Sequence, residues 1–361
     1  MASPGPNPQS SLVTSEDGAA PPDQSTEQES VQEKAPTTDF GPPPDGGLEA
    51  WSVVAGGFCA VFASFGWINC IGIFQDYYQR NQLKAYSSST VAWIPSVESF
   101  MMFFWGPVVG KMTDELGPRI PILIGSFLHV FGIMMTSISK EYYQILLSQS
   151  FCSAIGCSFL FYAPIAAVGT WFARHRAIAF GIVTAGSSLG GVALPIMAKA
   201  LGVSPHLAGY MVPIVNASST FGRLLPAYLG DRIGVFNVMI PLTVLGGIFT
   251  LTVWLTATST ASVIVYAVLY GFTSGCTLSI VPAMVASFSD VRSIGTRNGS
   301  LYCVAAVGAL IGSPVAGAIV GDQNGHFSGL IIFCGVSILL GAVFATMSRH
   351  SLAGGKWRKK V

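Results

Sequence analysis

Gly110-Lys111-Met112-Thr113-Asp114-Glu115-Leu116-Gly117-Pro118-Arg119 is a short charged turn between two long apolar stretches, and Ala227-Tyr228-Leu229-Gly230-Asp231-Arg232-Ile233-Gly234 is another. In each, the Asp is placed to receive a helix N-terminus or a neighbouring Arg. A second pair of landmarks repeats likewise. Arg176 opens a stretch running through Gly186-Ser187-Ser188-Leu189-Gly190-Gly191 to Pro195, and Arg297 opens one running through Gly308 and Gly312 to Pro314 and Gly317. Asp114 and Asp231 are 117 residues apart, Arg176 and Arg297 121. Two independent landmarks sharing nearly one offset predict a duplicated unit.

The flanking sequence says what is duplicated. From residue 50 onward, apolar stretches long enough to cross a hydrocarbon layer of about 30 Å follow one another. Ten are predicted: Ala50–Phe74, Val91–Val109, Ile120–Ile138, Tyr142–Val168, Ile178–Leu201, Leu207–Leu229, Val235–Ala257, Ala261–Phe288, Leu301–Val320 and Phe327–Met347. Charged residues make up 10% of the chain, against roughly 25% in an ordinary soluble domain. Nine of the 17 acids lie in the first 49 positions, so the remainder has too few charges to clothe a water-facing surface. The 41 glycines suit helices that approach closely in lipid. The fold class expected is an all-α membrane protein whose parallel repeats are typical of secondary transporters.

Residues 1–44, rich in Ser, Pro, Gln, Glu and Gly, are expected to be a disordered tail, and residues 349–361 a basic one. Between them lie two five-span halves, residues 45–201 and 202–348. With the N-terminus inside, fourteen Lys and Arg fall on the inner side and four (Arg80, Lys84, Lys140, Lys199) on the outer, so both termini are expected in the cytoplasm. The seven cysteines sit in apolar runs with no CxxC spacing, which supports neither a disulfide framework nor a zinc site. No Walker loop, G-x-S-x-G or HExxH is present, so neither an enzyme nor a cofactor is expected. The net charge of +1 gives no reason to expect a nucleic-acid partner.

Gly110 to Arg119 resembles the cytoplasmic signature of the major facilitator superfamily, found between helices two and three and again between eight and nine. Asp45-Gly46-Gly47-Leu48-Glu49-Ala50-Trp51 resembles the first signature of that superfamily's monocarboxylate porter family. Trp171-Phe172-Ala173-Arg174-His175-Arg176-Ala177-Ile178-Ala179-Phe180-Gly181, followed by Ala185-Gly186-Ser187, resembles its second, at the start of helix five. Gly202 to Tyr210, then Asn216-Ala217-Ser218 and Gly222-Arg223, resembles helix eight of the fungal members. The likeness covers residues 45 to 347. It implies six plus six helices, yet the two loop signatures stand four spans apart here. The equivalents of helices six and seven are therefore expected to be missing, with the cut near Leu201–Pro205, leaving about ten helices instead of twelve.

The candidate site follows from depth and from this likeness. Arg223 lies within the sixth apolar stretch, where its guanidinium could grip a carboxylate or snorkel to the interface; the resemblance implies the first. Asn69 and Ser219 fall where animal members carry a lysine and an aspartate tied to proton and substrate binding, and Tyr162 could face a cavity. Glu98, some eight residues in from the outer end of its stretch, is a candidate proton carrier or a hydrogen-bonded lining residue. Gly110, Asp114, Arg119, Arg174, Arg176, Asp231 and Arg232 are expected to gate the cytoplasmic side through ion pairs, or simply to fix topology. Tyr266 and Tyr270 are weaker cavity candidates, and His129 is expected to be structural.

The expected function is alternating-access transport of a small organic acid across the plasma membrane rather than the vacuolar one, with lipid and possible protons as the other partners. Loss of the Lys and Asp keeps export of a secondary metabolite open, and the missing pair of helices keeps open a non-transporting sensor, scaffold or inactive copy.

Overall fold

In lipid every backbone N–H and C=O must be satisfied within its own segment, so long apolar runs become helices. The computed structural model describes residues 43–200, 208–323 and 325–354, all within one unit that begins at Pro43. The tail at 1–42, the junction at Leu201–Pro205 and residues 355–361 lie outside the described residues.

The first five rods are built from nine helices. These are α1 (Gly47–Ile68) with α2 (Ile71–Arg80); α3 (Ser88–Val91), α4 (Trp93–Phe104) and α5 (Gly106–Leu116); α6 (Arg119–Ile138); α7 (Tyr142–Ile145) with α8 (Ala154–Trp171); and α9 (Arg176–Ala200). A π-helical stretch, Leu146–Ser153, joins α7 to α8. The last five rods are α10 (Ala208–Ile233), α11 (Val235–Phe249) with the π-helical Thr250–Trp254, α12 (Thr260–Ser287), α13 (Ile294–Asp322) and α14 (Ser328–Leu352).

Among the described residues, eight helical runs are long and apolar enough to cross a membrane, where the sequence predicts ten. Two of the ten stretches fall short. Val91–Val109 is divided at Trp105 into helices of 12 and 11 residues. The break coincides with Pro107, which has no N–H for the Phe103 carbonyl; that oxygen accepts a backbone N–H at the helix cap and the Tyr162 hydroxyl, at 3.4 Å. The other, Leu207–Leu229, becomes the 26-residue α10, whose apolarity is diluted by Asn216, Ser218, Ser219, Thr220 and Arg223. Two further boundaries differ from expectation. The first stretch breaks at Asn69-Cys70 between α1 and α2, and α14 runs through Arg349 to Leu352, so the predicted basic tail starts as helix.

Two seams join the first five rods to the last five. At one, α5 and α4 pack on α13; at the other, α9 packs on α10. The seams are tight because glycines let backbones meet. A Cβ on Gly106 would lie 2.6 Å from the Gly299 carbonyl oxygen, and one on Gly181 would lie 2.8 Å from both the Arg223 oxygen and the Ala227 Cβ. Burial is uneven. Of the most apolar window in Tyr142–Trp171, 78% is buried, against 6% of that in Val291–Asp322. α13 is thus held by its first turns and bare along the rest.

Candidate functional site

The two charged turns that repeat in sequence do equivalent work on opposite seams. Asp114, near the end of α5, accepts from the backbone N–H of Gly295 at 3.0 Å, the N–H of Thr296 at 2.8 Å and the Thr296 hydroxyl at 2.7 Å. These are orphan donors of the first turn of α13. Asp231, near the end of α10, accepts from the N–H of Ala177 at 2.8 Å and Ile178 at 2.9 Å, in the first turn of α9. Each carboxylate therefore caps a helix across a seam, where helix-end dipole and amide donors both favour a negative charge. Both acids bond backbone amides across a seam, and Asp231 is also an electrostatic neighbour of Arg176. Arg176 likewise donates to backbone carbonyls, of Phe172 at 2.7 Å and, on the far side, Ala286 at 2.8 Å. Arg232 stacks over the Tyr228 ring at 4.4 Å, while Arg119 and Arg174 are exposed. Gly110 lies in the α5–α13 seam, its Cα facing the backbone of Gly295.

The two other motifs also meet. Asp45 Oδ1 accepts from the N–H groups of Ala173 at 2.6 Å and Arg174 at 2.7 Å, and Trp51 packs edge-on against Phe172 at 5.2 Å. Burial alone would raise the Asp45 carboxyl, but the amides of Ala173, Arg174 and His175, helped by the nearby His175, hold it below the ordinary 3.8. Beside this loop a cleft of about 920 Å³ opens, lined by residues that include Arg174, Arg176, Asp231 and Arg232.

Deeper in the bundle, Arg223 of α10 is 2% exposed, so it does not snorkel. Its Nη1 donates to the Thr184 carbonyl and the Ser187 hydroxyl of α9, and its Nε to Ser219 Oγ at 3.2 Å. Among the described residues no carboxylate pairs with it. Ser188 donates to Ser219 at 3.3 Å, and Asn69 at the end of α1 donates to the Ser187 carbonyl at 3.1 Å. The structure thus gathers Arg223, Ser219 and Asn69 around one serine pair on α9. Thr184 and Ser187, which hold the guanidinium, were not singled out from the sequence.

Tyr162 of α8 joins this site through a residue also missed, Tyr302 of α13, which is an electrostatic neighbour of Arg223. Counted along their helices from the charged-turn end, Tyr302 is eight residues in, Tyr162 nine and Arg223 ten, so all three lie about 12–15 Å deep, near the middle of a bilayer-sized bundle.

The remaining candidates lie elsewhere. Glu98 is fully buried and accepts from Trp67 Nε1 at 2.9 Å and Gln149 Nε2 at 2.8 Å; Gln149 in turn accepts from the Tyr78 hydroxyl at 2.7 Å. That network stays within the first five rods. His129 bonds Ser153 at 2.9 Å between α6 and the π-helical stretch. Tyr266 stacks on Trp254 at 4.9 Å and on Tyr270 at 5.4 Å, which packs α12 onto α11's extension.

A family profile for the Major Facilitator Superfamily matches residues 53–198 and again 191–360. An MFS-type transporter of Ophiocordyceps sp. is 39% identical over 419 aligned positions that cover 93% of each chain. The fujikurins efflux protein of Gibberella fujikuroi is 37% identical, covering 85% of this chain and 84% of its own. The crystal structure of a human organic anion transporter superposes with a TM-score of 0.65 at 12% identity, over 82% of this chain and 99% of that one, a likeness of fold. Two profile matches spanning nearly everything from residue 53, on a bundle joined by paired glycine seams and carboxylate caps, establish that the chain belongs to the Major Facilitator Superfamily and is one of its transporters.

Proposed function

We propose that this transporter exports an acidic secondary metabolite, taking its anionic group on Arg223. The observation that carries the reading is a fully buried guanidinium bonded only to neutral oxygens, at the seam of the two five-rod sets. A buried charge without a counter-ion is costly, and an arriving carboxylate or enolate supplies one. The name of the fujikurins efflux protein supports export of a metabolite over uptake of a simple monocarboxylate. So does the chemistry of Asn69 and Ser219, which are neutral where the animal porters carry charge. Both Glu98 oxygens are already occupied by donors, which favours a bracing role for it over proton coupling. In this reading the charged-turn end is cytoplasmic and closed, the caps of Asp114 and Asp231 being the contacts that break when the rods rock apart. In proteoliposomes given a panel of organic acids and a pH gradient, Arg223→Gln is expected to cut flux about tenfold or more, the loss of charge-assisted hydrogen bonds. Undiminished flux in that variant would sink the reading.

A second reading has its own observation. The 419 aligned positions exceed the chain's 361 residues, so at least 58 positions of the Ophiocordyceps relative face no residue here. That is enough for two spans of about 20 residues and a connecting loop. The bare flank of α13 supports the same inference, that a helix pair which would cover it is missing and that this form of the chain does not transport. Sequencing the transcript across codons 195–210 decides the point: retained coding sequence for two apolar spans would restore the covering pair.

A further inference from the structure

Four buried side-chain atoms have no hydrogen-bond partner among the described residues, and three of them sit on the two helices that carry Tyr162 and Tyr302: Ser158 Oγ on α8, and Asn298 Oδ1 and Tyr302 Oη on α13. Asn298 is 1% exposed, Ser158 is fully buried and Tyr302 is 8% exposed. Asn298 and Tyr302 are four residues apart and so share a face of α13, as Ser158 and Tyr162 share one of α8. Around Tyr302 the walls are aromatic. Its ring stacks on Phe103 of α4 at 5.6 Å and 11°, meets Phe161 edge-on at 5.6 Å and lies 6.0 Å from Tyr162. Phe65 of α1 completes the group, 6.0 Å from Phe103.

An aromatic plug meant only to fill space would not carry these polar atoms. Each unmade bond leaves a desolvated polar group unsatisfied in the closed bundle, and Phe or Leu at the same positions would avoid it. The polar and aromatic groups also divide across the seam. Arg223, Asn298 and Tyr302 belong to the last five rods, whereas Phe65, Phe103, Phe161 and Tyr162 belong to the first five. When the two sets part, the stacked faces of Phe103 and Tyr302 separate, leaving a flat slot with a cation and a hydroxyl donor at its edge.

We propose that this slot selects the substrate: a planar aromatic acid whose ring slides between Phe103, Phe161 and Tyr302. Its anionic oxygen takes the Arg223 guanidinium and the Tyr302 hydroxyl, and a further hydroxyl donates to Asn298 Oδ1. Aromatic rings held in offset or edge-to-face contact gain affinity beyond their buried area, and a site built to pair polar atoms rejects ligands that leave them unpaired. The proposal rests on the transport reading above and adds to it the class of acid.

The test is binding to the purified full chain in nanodiscs, with 6-hydroxy-2-naphthoate as the planar probe and cyclohexanecarboxylate as the non-planar one. The naphthoate is expected to bind at least tenfold more tightly. Tyr302→Phe, which keeps the ring, should weaken it about tenfold, and Phe103→Leu combined with Phe161→Leu should erase the preference. Melting temperature is followed in parallel. A fall in melting temperature with the preference intact would make the cluster merely structural and overturn the proposal. Equal affinity for the two acids, both lost in Arg223→Gln, would also overturn it while leaving the anion-transport reading standing. Failure of both acids to bind would overturn both readings.

Discussion

Gly110→Ala or Gly299→Ala should leave the transporter unable to close the end of the bundle that carries Asp114. A Cβ on Gly110 would run into the Gly295 carbonyl and the Thr296 amide nitrogen, and one on Gly299 into the Gly106 carbonyl and the Pro107 nitrogen. Every one of these obstacles is backbone, so no side chain can swing aside, and the only relief is for α5 and α13 to separate. Overpacking ordinarily costs about 1–3 kcal/mol, and a contact with no rotamer to give belongs at the upper end. About 3 kcal/mol is roughly a hundredfold shift from closed to open. Val109, next to Gly110 on α5, is fully buried, so maleimide labelling of Val109→Cys, measured above the seven native thiols, reads the opening. Faster labelling in the glycine variants is expected. Gly308→Ala on the same helix is the control: nothing lies within 4 Å of its added methyl, and alanine favours helix by about 1 kcal/mol. If Gly110→Ala labels no faster than Gly308→Ala, the seam is not a closing surface.

Much of this arrangement could be read from the chain before its structure, and the limits have physical causes. Apolar stretches are legible because each must satisfy its own backbone in lipid. The break at Trp105 is not legible in the sequence, since a proline in such a run is tolerated; the structure shows the Phe103 carbonyl met by a backbone N–H at the cap and by the Tyr162 hydroxyl. Asp114 and Asp231 were legible as acids that could receive a helix end. Which helix was not. The nearest N-terminus in sequence to Asp114 is that of α6, yet the capped one is that of α13, about 180 residues away, a pairing that exists only once two bundles face each other. Arg223 stood out as a charge in an apolar stretch. Tyr302, Asn298 and Ser158 did not, because an uncharged polar residue in a membrane helix becomes informative only when its neighbours leave it unpaired.

The symmetry of the caps gives the remaining large effect. Asp114→Ala and Asp231→Ala should each weaken closure, and together they should abolish it. Each removes a carboxylate that satisfies the orphan amides of a helix belonging to the other five rods, and losing such a cap costs up to about 2 kcal/mol. The two caps act on different helix pairs, α5 with α13 and α10 with α9, and share no partner, so their costs should add. About 4 kcal/mol is nearly a thousandfold change in the closed population. The labelling rate at Val109→Cys should therefore rise by roughly the product of the two single effects. Asp114→Asn should fall between, because one amide oxygen can still accept from Gly295 or Thr296 while the charge facing the helix dipole is gone. Swapping the acid for Glu at either turn should not rescue fully, since the extra methylene pushes the carboxylate past both amides. An ion-pair gate predicts a different pattern: removing Arg119 or Arg174, both exposed, would open the bundle as effectively as removing either acid. If Arg119→Ala matched Asp114→Ala, capping across the seam would not be what holds this end shut.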